Sequence, residues 1–117
     1  DNRQNKTNVQ KAKIQYSTTQ LDLVNKQKEL YTTIETLWLD ALNAQQQYAA
    51  AESKVKSSQT SFDMVSEQFN LGMKNTVELL TEKNNLQSAR QERVQAKYMA
   101  ILDRTLLNFY AGQEIKL

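Results

Sequence analysis

The stretch FNLGMKN, residues 69–75, holds one of only two glycines in a chain of 117 residues that contains no proline. A sequence so free of helix breakers that interrupts itself once, well past its midpoint, and then resumes is expected to reverse direction there. Gly72 tolerates the positive φ of a tight reversal, and Asn70 and Asn75 are residues of turns and caps.

Upstream, Leu30, Ile34, Leu37, Ala41, Ala44, Tyr48, Ala51, Val55, Ser58, Phe62, Val65 and Phe69 step by four and three alternately. All but Ser58 are apolar, which is the signature of a coiled-coil-like helix. Ala41, Ala44, Ala51 and Ser58 are small, whereas a free-standing two-stranded coil prefers Leu, Ile or Val. Small seam residues fit a helix sandwiched among neighbours in a larger wall; the plainer alternative is a hairpin with a thin interface. Upstream of Leu30 the register degrades, with Lys13, Gln20 and Gln27 in seam positions, while Val9, Ile14, Tyr16, Leu21, Leu23 and Val24 supply apolar surface on a drifted face.

Downstream of Asn75, Leu79, Leu86, Ala89, Ala96, Ala100, Leu107 and Tyr110 form one stripe, and Leu80, Val94 and Ile101 form another beside it. Two stripes imply two neighbours. Gly112 ends the run as a left-handed C-cap, before an extended tail, QEIKL. The expected fold is therefore all-α: a long antiparallel helical hairpin, coiled-coil-like, with a first helix (about residues 3–69) longer than the second (about 75–111), joined by a turn at about 70–74. Folding back at Gly72 pairs about Ile34–Phe69 with Lys74–Tyr110 over roughly 55 Å and leaves the first ~33 residues without an antiparallel partner.

Composition excludes several functions. The hydrophobic fraction is 39%, too little for a thick core but enough for a narrow stripe on a long helix. Fifteen basic and thirteen acidic side chains, interspersed, give a charge of +2. The basic excess at Arg3, Lys6, Lys11 and Lys13 has no interleaved aromatics, so it reads as a solvated face and not a nucleic-acid platform. Without cysteine there is no disulfide or thiol chemistry, and cytosol and periplasm stay equally open. No apolar run approaches the ~20 residues of a membrane-spanning helix. The opening DNRQNKTNVQKAK is polar throughout, unlike a signal peptide, and reads as the start of a fragment.

Catalysis is not expected. Histidine is absent, and there is no phosphate loop, ligand cluster or nucleophile elbow. Glu78 and Glu82, one turn apart, are a common spacing on a solvated helix and too few for a metal site. Trp38, Tyr98, Phe109 and Tyr110 fit core or interface packing better than a ligand box. What stands out is the turn, where Phe69, Lys74 and Glu78 fall within about two helical turns. Lys74 and Glu78 form an i,i+4 pair, which on its own is no more than local helix support.

Taken together, FNLGMKNTVELLTEKNNLQSARQERVQAKY resembles the repeat signature of TolC-type outer-membrane efflux channels: an aromatic, two residues, Gly, then a small or polar residue, an acidic residue, a Leu pair and a long amphipathic helix. DNRQNKTNVQKAKIQY is similar to the helix that follows a barrel strand in that family, and LLNFYAG to the helix end leading back to the equatorial region. The resemblance implies a homotrimeric channel in a Gram-negative outer membrane, each subunit with two such repeats. This chain would be one helical pair of the periplasmic cylinder, leaning toward the second repeat, without the β-barrel strands. It also implies partners: a periplasmic adaptor protein docking at Leu71, Gly72 and Met73, and an inner-membrane transporter.

Family members close the entrance with an aromatic and a basic residue bonded to acidic groups. The resemblance places Phe69, Lys74 and Glu78 in those roles. Thr81 stands where some members carry a second acid, and Glu82 replaces a usual alanine. With no hydroxyl on Phe69 and no carboxylate at Thr81, the implied gate has fewer polar links. No cofactor or metal is implied. The rival readings are the hairpin of an adaptor protein, which lacks here its Gly- and Val-rich flanking halves and its Arg, Leu and Ser tip pattern, and a purely structural coiled-coil module, which accounts for the heptads but not for the order of residues at the turn.

Overall fold

The computed structural model describes residues 1–112, so the tail expected at QEIKL lies outside the described residues. Among these residues the fold is all-α, with two helices and no strand: α1, Asn2–Asn70, of 69 residues, and α2, Thr76–Tyr110, of 35. No described helix is long and apolar enough to cross a membrane.

The chain divides into two units, Asp1–Thr36 and Leu37–Leu117. In the first, every residue except Ile34 is exposed. Its apolar side chains Val9, Ile14, Tyr16, Leu21, Leu23, Val24, Leu30 and Tyr31 are all among the exposed ones. Leu30, the first seam position in the sequence pattern, is thus not packed within this unit.

The second unit is an antiparallel hairpin. On its α1 side each seam residue from Leu37 to Phe69 is buried or half-buried, and most of the residues between them face solvent. The four-three spacing keeps one stripe on the partner because 3.5 residues per turn nearly matches the helix. The fully buried part is small: Ala44, Val55, Leu86 and Ala89. Val55, Leu86 and Ala89 cluster together with the half-buried Phe62 against them. Ala89 has no exposed surface at all, so the small residue lets the two helices close up around it.

On α2 the packed stripe is less apolar than its sequence pattern. Leu79, Leu86, Ala89, Ala96, Ala100 and Leu107 are packed as expected, but Glu82, Arg93 and Asp103 occupy the intervening half-buried seam positions. Tyr110, expected on this stripe, is exposed and makes an edge-to-face contact with Phe109, ring centroids 5.7 Å apart. Trp38, Tyr98 and Phe109 are exposed too, so none of the four aromatics belongs to the core. The second stripe of Leu80, Val94 and Ile101 lies in solvent. Polar bonds clamp both flanks of the seam: Lys54 reaches Glu92 at 3.0 Å on one, and Arg90 Nη2 donates to Gln59 Oε1 at 2.8 Å on the other.

With so few buried side chains, each should matter. Leu86→Ala is expected to cost about 2 kcal/mol, at the low end for core leucines because its surroundings are half-open. Leu80→Ala, on the exposed stripe, should cost well under half of that. Urea unfolding followed by circular dichroism measures both.

Candidate functional site

The end of α1 carries a complete Schellman motif. The Met73 N–H donates to the Gln68 carbonyl at 2.8 Å and the Gly72 N–H to the Phe69 carbonyl at 3.0 Å, while Gly72 sits at φ 77°. These bonds satisfy carbonyls that a helix end otherwise leaves open, and they require one residue in the left-handed region. Glycine fills that place without strain from a Cβ. Space is not the constraint, since a Cβ there meets nothing within 4 Å.

Three residues later α2 begins with an equally complete cap. Asn75 is extended (φ −93°, ψ 171°), its Oδ1 accepts the Glu78 N–H at 2.8 Å, and Glu78 Oε2 accepts the Asn75 N–H at 3.1 Å. This reciprocal pair is a capping box. The Glu78 charge also lies in the first turn, where the helix dipole favours an anion. The Asn75-x-x-Glu78 spacing is itself the sequence signature of the box, and it gives Glu78 a role that the Lys74 pairing alone does not reveal.

Among the sequence-predicted residues, the fold brings Lys74 and Glu78 together: Lys74 Nζ lies 3.8 Å from Glu78 Oε1. One carboxylate therefore holds the backbone of the cap with one oxygen and faces an ammonium with the other. Thr81 is not part of this group. Its hydroxyl donates to the Val77 carbonyl of its own helix at 2.8 Å. Phe69 is half-buried, the last member of the α1 seam, so its ring belongs to the hairpin packing just below the turn. Leu71 and Met73 flank Gly72 and stand in solvent, 69% and 68% exposed, with Val77 exposed beside them. The tip is thus a rigidly capped turn with apolar side chains outside and one ion pair at its base.

Among the described residues no group of three or more acidic side chains is placed to hold a metal ion. The second glycine, Gly112, also adopts positive φ (79°), and its N–H bonds to the Phe109 carbonyl at 3.1 Å, closing α2.

The sequence matches the family described as outer membrane efflux protein over residues 1–113. The chain belongs to that family, whose members are transport proteins of the outer membrane of Gram-negative bacteria. The likeness to TolC-type channels read from the turn motif and its flanks is the same assignment. No curated protein and no solved structure matches the chain.

Substitutions at two positions separate the halves of the turn. Gly72→Ala is expected to destabilise the hairpin by about 1 kcal/mol through backbone strain, and Gly72→Asn by less, because asparagine tolerates the left-handed region. Asn75→Ala should cost about 1 kcal/mol through the lost cap. Denaturant midpoints of the three variants test these values.

Proposed function

We propose that this chain is a periplasmic tunnel segment of an outer-membrane efflux channel, with the Gly72 turn forming the periplasmic entrance. The observation that carries this reading is the family match over nearly the whole chain, joined to a helical pair that reverses at a capped tip. In the intact channel three subunits surround one pore. The tip points toward an adaptor protein, which links the channel to an inner-membrane transporter.

Leu71 and Met73 are the docking surface in this proposal, and Gly72 sets their presentation. Both side chains are exposed, and the Schellman bonds hold the backbone between them in one conformation. A pre-ordered apolar tip loses little conformational entropy on docking. Entrance control falls to Lys74 and Glu78, with Phe69 and Thr81 in the same ring. In the closed state Lys74 reaches an acidic group of a neighbouring subunit; in the open state it returns to Glu78 of its own hairpin. The local pair is half-exposed and long, and such pairs contribute about 0–1 kcal/mol. Adaptor binding then has only a small preference to overcome in each of three subunits.

Planar-bilayer conductance of the intact channel tests the gate. Lys74→Ala should raise mean conductance by removing the closed-state contact, and Glu78→Gln should lower it by removing the open-state partner of Lys74. Glutamine is chosen because it serves at the same position of a capping box, so that the charge is removed and the turn is kept. Conductance unchanged in both variants would remove the gate assignment.

A further inference from the structure

Charge is unevenly divided along the chain. Residues 2–21 carry Arg3, Lys6, Lys11 and Lys13 and no acidic side chain. Asp1 precedes them, so residues 22–117 hold the other eleven of the fifteen cations against twelve of the thirteen acids. The net positive charge of the protein thus resides in the first turns of α1. All four cations there are exposed, and among the described residues none lies within ion-pair distance of a carboxylate; the ion pairs formed are at Lys26, Lys54 and Lys74.

Their spacing is irregular. Steps of three, five and two residues follow no heptad, so no single register on another helix meets them all. At 3.6 residues per turn Arg3, Lys6 and Lys13 fall within about 80° of one another around the axis, and Lys11 stands to one side. An anionic partner that adapts to such a pattern is a fluid layer, in which each charge moves to its own cation. Headgroups are also hydrated, so cations that are solvated in the isolated chain meet them without the cost of burial.

We propose that the first turns of α1 bind the anionic phosphate headgroups at the periplasmic surface of the outer membrane through Arg3, Lys6, Lys11 and Lys13. The inference rests on the reading of the Gly72 turn as the periplasmic entrance. By chain order these turns lie at the opposite end of α1 from Gly72, so in a protein of the outer membrane they are the end nearer the lipid. The reach agrees. Arg3 to Lys13 spans about 15 Å of helix, comparable with a headgroup layer of roughly 5–8 Å plus a Debye length of about 8 Å. Asp22, the next charged side chain, stands about 28 Å along the helix from Arg3, beyond the range of that surface field.

Co-sedimentation of the 117-residue chain with vesicles tests this, comparing phosphatidylglycerol in phosphatidylcholine with phosphatidylcholine alone. Binding is expected to the anionic vesicles only, weakening with salt. Each cation near such a surface is worth about fivefold, so Arg3→Gln/Lys6→Gln/Lys13→Gln should weaken binding by about tenfold or more. Lys83→Gln/Lys97→Gln/Arg104→Gln, which lowers the net charge equally from the hairpin, should weaken it by about twofold or less. Circular dichroism verifies that both variants stay helical. Equal loss in the two variants, equal binding to neutral vesicles, or binding insensitive to salt would each overturn the proposal. So would binding to peptidoglycan sacculi in preference to vesicles and lost in the first variant, which would make cell-wall carboxylates the occupant. Failure here is distinct from failure at the tip: lost vesicle binding with conductance still responding to Lys74→Ala removes this contact alone, and vesicle binding with conductance unchanged removes the gate and keeps this contact.

Discussion

Among the described residues the seam has only four buried side chains, and the turn joins the two helices directly, so its geometry fixes where their stripes meet. The constraint is concentrated in Leu71–Asn75, where a left-handed glycine closes one helix and an asparagine opens the next. Because both caps are complete, the two helix axes leave the turn in defined directions. The heptad stripes then face each other without a search among alternative pairings. Cross-strut contacts such as Lys54–Glu92 and Arg90–Gln59 become possible only once that register exists.

The thinness of the core follows from the choice of small residues. Ala44 and Ala89 are buried completely or nearly so, yet each contributes little apolar area compared with leucine or isoleucine. Close approach is obtained at the expense of hydrophobic stabilisation. The exposed stripe of Leu80, Val94 and Ile101, and the exposed apolar side chains of the first unit, are the complement of that economy: apolar surface that the hairpin alone leaves in water. Membership of an outer-membrane efflux family is consistent with such surface, since its helices work as parts of a larger assembly.

At the tip, one carboxylate serves both structure and charge. Glu78 closes the capping box with one oxygen and meets Lys74 with the other, so any exchange of Lys74 to another partner leaves the turn itself intact. Separating the two duties on two oxygens lets an electrostatic contact change without unfolding a helix end.

Sequence alone determined the two helices, the reversal at Gly72 and the α1 seam, because each depends on local properties: propensity, a period near 3.5, and the steric freedom of one residue. It also carried the family, through the order of residues around the turn. The polar seam members Glu82, Arg93 and Asp103 and the exposure of Trp38, Tyr98 and Tyr110 were decided only by the tertiary structure. Burial and cross-helix bonds are properties of two surfaces in one register, and a pattern read along a single helix contains no information on what the other helix places opposite it.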